Sequence, residues 1–213
     1  MRLKGVLGSF RLESHGVDLP NEIAIINRAE LSDTHVQLLL NDTTATPKDT
    51  TQSEVRWKVD LRHLKLKNVS FSMQLPADSM RLAAHVGEAQ VNDAEADLKN
   101  LHYGLRSFLV SGTSVNYDVG TAEPAEGFDP SHIALRDIRI GLDSMYYRRR
   151  NMNAVIREFS MNDRSGLSVT SLTGRVFAND TIIQVPSLKL LTPHSEMDLT
   201  AQTYWELVNI PTT

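Results

Sequence analysis

The sequence predicts an all-β chain: an elongated, repeating antiparallel sheet, either a β-groove or a curled sandwich, with short loops and little helix. Three observations predict it. Apolar residues recur with period two over most of the chain, the spacing that gives a strand one apolar and one polar face. Turn-forming residues interrupt that alternation at short intervals. A short pattern also recurs as Ala29-Glu30-Leu31-Ser32-Asp33, Ala89-Gln90-Val91-Asn92-Asp93 and Phe159-Ser160-Met161-Asn162-Asp163, at steps of 60 and 70 residues, in the manner of repeat arrays. Each copy reads as a strand running into a turn, with its Asp as turn former at the rim.

The elements follow in chain order. Arg2 to Val6 already reads as strand. Val55, Trp57, Val59 and Leu61 share one face of a strand; Leu64 and Leu66, then Val69, Phe71, Met73 and Leu75, alternate on shifted parities, so bends or bulges separate the three runs. Leu82, Val86 and Val91 continue the pattern. Ile138 and Ile140, Ile156 and Met161, Leu172 and Val176, then Ile182, Val185, Leu188 and Leu190 carry it onward, followed by Met197, Leu199, Ala201 and Tyr204. The segments 75–78, 164–166 and 178–180 are the breakers between strands. Helical candidates are limited to Asp93–Leu105 and Glu206–Ile210. A longer internal match lays residues 86–93 over 156–163 and Leu64-Lys65-Leu66 with Ser70 over Ile138-Arg139-Ile140 with Ser144. Its offset falls from 74 to 70, implying a four-residue deletion in the intervening loop.

Two segments interrupt the alternation. Residues 41–53 are rich in Thr, Asp and Pro, and 118–132 hold two Pro and two Gly. Neither buries enough apolar surface to offset ordering, so both are expected to be mobile loops. They divide the chain into β-units at 1–40, 54–117 and 133–213 within one continuous domain. Alternation at both ends suggests a fragment of a longer protein.

Composition excludes several functions. The 213 residues carry a net charge of −4 with only 6% aromatics, so no basic field attracts nucleic acid. There is no cysteine, which removes disulfides, thiolate zinc sites and cysteine nucleophiles. No apolar stretch is long enough for a membrane-spanning helix, and no signal peptide is present. The seven histidines never fall at metal-ligand spacing; Gly112-Thr113-Ser114-Val115 lacks the second glycine of a nucleophile elbow, and Gly5-Val6-Leu7-Gly8 lacks the lysine of a phosphate loop. No catalytic, metal or cofactor site is therefore assigned, and the chain is not read as an enzyme. Asp followed by Ser or Thr at Thr43, Thr50, Ser79, Ser144 and Thr181 resembles the O-glycosylation acceptor of exported Bacteroidetes proteins; such pairs also simply form turns.

The stretch from Ile183 to Thr200, in which a strand containing Pro186 reaches a Thr192-x-x-Ser195 turn and returns as an alternating strand, resembles a segment typical of AsmA-like proteins. Leu172-Thr173-Gly174-Arg175-Val176 fits the same style, and Leu61–Val91 and Leu135–Met161 look like preceding ladder strands. Most of residues 54–210 is similar to an internal part of a TamB-like translocation and assembly protein of the Bacteroidetes type. The resemblance implies an elongated β-groove in the periplasm. It also implies an inner-membrane anchor and an outer-membrane barrel partner reached through other regions, phospholipid acyl chains carried in the groove, and a link to outer-membrane protein assembly. On this reading the groove candidates are Val55, Trp57, Val59, Leu64, Leu66, Val69, Phe71, Leu82, Val86, Val91, Ile138, Ile140, Ile156, Met161, Leu172, Val176, Val185, Leu188 and Leu190. The same residues could instead form a closed core. Other functions the residues allow are a scaffold whose open edges capture client β-strands and a carbohydrate-binding sandwich. The last would want an exposed aromatic platform, whereas Trp57 and Trp205 read as core.

Overall fold

The computed structural model describes residues 2–40, 56–148 and 151–204. They form one sheet and, besides it, only a three-residue 3-10 turn at Pro76–Asp78. The strands are β1 (Arg2–Val6), β2 (Ser9–Asp18), β3 (Ile23–Leu39), β4 (Lys58–Leu75), β5 (Met80–Asp97) and β6 (His102–Asp118). There follow β7 (His132–Arg148), β8 (Asn151–Asp163), β9 (Ser168–Val169), β10 (Ser171–Ala178), β11 (Ile182–Leu191) and β12 (Glu196–Tyr204). Their order is β1-β3-β4-β5-β6-β7-β8-β10-β11-β12. β2 pairs with β3 beyond the end of β1, and β9 pairs with β8 beyond the end of β10. The sheet is open at both edges, with no barrel closure and no second layer among the described residues. Of the two architectures expected, a groove or a curled sandwich, the single sheet matches the first. Pairing is antiparallel except between β3 and β4, which run parallel from Ile23 beside Lys58 to Leu39 beside Gln74.

The shifted parities seen in the sequence of β4 are corners. In β4 the apolar face passes from Val59 and Leu61 to Leu64 and Leu66, then to Val69, Phe71 and Met73. β5 answers with Ala96 and Ala94, Val91 and Ala89, then Val86, Ala84 and Leu82. One extra residue at each shift keeps the apolar side chains on one side. The shifts fall at matching heights in adjacent strands, so they line up as two transverse seams that divide the long strands into three panels. At the first seam Asp33, Asn68, Gly112 and Asp137 occupy β3, β4, β6 and β7, with φ of 50°, 52°, 59° and 54°. Asp, Asn and Gly are the residues that adopt this left-handed conformation at least cost. Asn68 Nδ2 donates to Asp33 Oδ1 at 2.7 Å, and Asn162 Nδ2 to Asp137 Oδ2 at 3.1 Å. Gly87 completes the seam in β5, where a Cβ would stand 2.8 Å from the Gly112 carbonyl oxygen.

The bend direction follows from burial. The left-handed residues of the first seam are exposed, whereas Thr34, Val110, Ile138 and Thr113 on the other face are only 5%, 7%, 7% and 8% exposed. The sheet therefore folds toward its apolar face. At the second seam, opposite charges on adjacent strands face each other on the outside: Asp93 accepts from Arg106 at 2.7 Å, and Asp143 from Arg157 at 2.9 Å.

Several expectations are corrected here. Asp33 and Asp93 are not turn formers at a rim: both lie inside strands as left-handed corner residues, and only Asp163 ends its strand. Asp93–Leu105 is not helical but the β5–β6 hairpin. Its turn, Asp97-Leu98-Lys99-Asn100, matches Asp18-Leu19-Pro20-Asn21 between β2 and β3. In both, the Asp carboxylate accepts from the Asn backbone N–H, at 3.1 Å for Asp18 and 3.0 Å for Asp97. The hairpins β4–β5 and β7–β8 that carry the internal match run in opposite directions, so that match is not a repeat by translation. The loop expected at 118–132 is present between β6 and β7, and Asp129 gathers hydrogen bonds within it. Its carboxylate accepts from the backbone N–H groups of Ala125 (3.0 Å) and Ser131 (2.9 Å) and lies 2.9 Å from His132 Nδ1. The expectations for residues 41–53, Trp205 and Glu206–Ile210 lie outside the described residues.

Candidate functional site

The register assembles one apolar face across the whole sheet. Leu12, Ala29, Leu64, Val91, Phe108, Leu142, Ile156, Gly174, Leu188 and Leu199 stand side by side from β2 to β12 without a polar interruption. At about 4.8 Å per step this row is roughly 43 Å long. A second row runs Val17, Ala24, Val59, Ala96, Tyr103, Tyr147, Met152, Ala178, Ile183, Thr203. In it the rings of Tyr103 and Tyr147 stack with centroids 6.2 Å apart.

Of the groove candidates, Val59, Leu64, Leu66, Val69 and Phe71 lie on this face of β4, and Leu82, Val86 and Val91 on β5. Ile138 and Ile140 lie on β7, Ile156 and Met161 on β8, Leu172 and Val176 on β10, and Val185, Leu188 and Leu190 on β11. Trp57 precedes β4, half-buried, its carbonyl accepting from Leu98 N–H at 2.9 Å. Val55 lies outside the described residues. The candidate list omitted β6 entirely, although Phe108, Val110, Leu105 and Tyr103 hold the centre of the face. Their signal was present as period-two runs with two parity shifts; the helical candidate Asp93–Leu105 covered Tyr103 and Leu105 but not Phe108 and Val110.

Nothing among the described residues covers this face. Each strand makes its extensive contacts with hydrogen-bonded neighbours. No large side chain is fully buried, and Phe71 is 36% exposed. The described apolar residues thus run from buried in the middle of the sheet to exposed at its edges, as the walls of a trough and not the interior of a sandwich.

The outer face is polar. One of its rows reads Arg11, Glu30, Lys65, Gln90, Leu109, Gly141, Glu158, and Lys65 Nζ lies 3.3 Å from Glu88. Hydrogen bonding by Gln90 and then by Lys65 holds the Glu88 carboxyl below its usual range. At the end where β4 begins, a depression of about 560 Å³ is lined by Lys58, Asp60, Glu95, Asp97, His102, Tyr146 and Arg148 among others. Lys58 pairs with Asp97 at 3.5 Å, and Asn100 lowers the Asp97 carboxyl. His102 Nε2 is buried without a hydrogen-bond partner.

No cluster of His, Asp or Glu among the described residues is arranged to hold a metal ion. No described helix is long and apolar enough to cross a membrane. Of the glycosylation candidates, Ser79 caps the 3-10 turn and Thr181 lies in the exposed β10–β11 turn, but Ser144 is inside β7 rather than at a turn; Thr43 and Thr50 lie outside the described residues. Comparison with known proteins finds no matching family model, no matching curated protein and no matching solved structure.

Proposed function

We propose that this chain is a segment of a periplasmic β-groove of the TamB- and AsmA-like kind. Such a groove bridges inner and outer membranes, passes phospholipid acyl chains along its apolar face and supports outer-membrane protein assembly. The observation that supports this reading most is the uninterrupted row from Leu12 to Leu199 on a face that no described residue covers. Continuous exposed apolar surface on this scale is unusual unless it serves binding, and an acyl chain needs only a dry lane without hydrogen-bonding partners. The polar outer face fits a body that crosses an aqueous compartment with its cargo on one side.

The reading is tested by placing a photocrosslinking side chain at Phe108 or Leu142, in the middle of the row, and at Lys65 on the outer face as control. Crosslinks to phospholipid from the inner positions and none from Lys65 are expected. Absence of lipid crosslinks at both inner positions, with no lipid retained in native mass spectrometry of gently purified protein, refutes it.

A further inference from the structure

Both edges of the sheet are unpaired among the described residues. Every residue of β2 is exposed, as is every residue of β12 but Thr203, with Phe10 and Leu12 at 58% and 52%. Neither strand contains proline or carries a charge on its apolar side; charges stand only on the outer side, and the register shifts of β2 begin after Glu13, so the stretch from Ser9 to Glu13 and the whole of β12 remain regular strand open to pairing. The two edges also match. The chain of pairings makes β2 and β12 point the same way through the sheet. The apolar row ends on Leu12 at one edge and Leu199 at the other. On the outer face, Arg11 is followed by Glu30 and then Lys65, while the opposite edge ends on Lys189 and then Asp198, 3.6 Å apart.

We propose that the partner of these edges is a second copy of this chain. β12 of one copy pairs in parallel with β2 of the next, with Leu199 beside Leu12, Met197 beside Phe10 and Asp198 beside Arg11. The joint continues the apolar row without a break and continues the alternation of outer charges in phase: Lys189, Asp198, Arg11, Glu30, Lys65. A parallel strand pair of this kind already exists between β3 and β4. Because the two surfaces differ, the contact is heterologous and leaves a free edge at each end, so copies add without closing. This inference does not rest on what the apolar face binds.

Sedimentation velocity across a wide range of protein concentration tests it, with Arg11→Asp and Asp198→Arg as variants. Both side chains are exposed, and far-UV circular dichroism checks that the sheet is retained. The unaltered chain is expected to grow by whole copies as concentration rises. Each variant alone is expected to stay monomeric, because like charges then meet at the joint. An equimolar mixture of the two is expected to assemble again, because every mixed joint pairs Asp with Arg. A chain that stays monomeric at all concentrations overturns the proposal. So does a closed dimer that grows no further, assembly of both single variants as readily as the unaltered chain, or capture of an unrelated extended peptide by a chain that does not self-associate.

Discussion

Asn68 shows at the scale of one residue how the trough is shaped. Its φ of 52° puts it in the left-handed region, inside an 18-residue strand, with its side-chain amide on the Asp33 carboxylate. A β-branched residue there loses that hydrogen bond and meets steric conflict between Cβ and backbone, worth about 1–2 kcal/mol. Asn68→Val is therefore expected to lower stability by at least about that amount, whereas Asn68→Gly, which accepts the conformation freely, costs less. Denaturant midpoints of the two variants check the order; equal losses would mean that the corner is not set by backbone conformation. Part of this was legible beforehand. The parity shifts from Leu61 to Leu64 and from Leu66 to Val69 announce a bend in β4. Nothing in a single strand tells that Asp33, Gly112 and Asp137 sit at the same height in their own strands, because that depends on pairing register.

At the scale of an element, the loop between β6 and β7 is organised by one carboxylate. Asp129 is pulled down to about 2, chiefly by the Ala125 backbone N–H, then by His132 and the Ser131 N–H. Its folded value lies below the ordinary 3.8, so its stabilisation is present in full above that ordinary value. It is lost as the pH falls through about 2. Amide exchange at Ala125 and Ser131 is expected to accelerate across that interval, and Asp129→Asn is expected to remove the step. Protection that does not change between pH 4 and about 2 would refute the assignment. The sequence suggested a mobile loop here because its composition offers little to bury. Which backbone donors Asp129 collects within the loop depends on the folded path of the chain and was not legible beforehand.

For the whole molecule, stability is distributed along the sheet rather than held in a core. Extensive contacts are confined to hydrogen-bonded neighbours, which makes the array nearly one-dimensional. The four strands β4 to β7 are flanked on both sides and carry Ala89, Val110 and Ile138, three of the few buried apolar residues. β1, β2 and β12 have one neighbour each. Hydrogen exchange is therefore expected to be slowest in β5 and β6 and to quicken stepwise toward both edges. Uniform protection from β2 to β12 would instead indicate a single cooperative unit.

The sequence by itself determined that the chain is a sheet with one apolar and one polar face. It also placed the bends in β4 and the Thr192–Ser195 turn, whose Thr192 N–H donates to the Ser195 carbonyl at 2.8 Å. These are local properties: side-chain alternation, conformational preference and turn chemistry act between residues a few positions apart. Only the tertiary structure decided that the apolar faces of β2 to β12 join in one row, that β3 and β4 run parallel, and that the bends align as seams folding toward the apolar side. Among the described residues, nothing covers that side. Each of these depends on which strands pair and in what register, a choice made between segments distant in sequence. The Asp of the recurring pattern illustrates the difference: its residue type suggested a turn at the rim, whereas pairing placed Asp33 and Asp93 inside strands as left-handed corners of the trough.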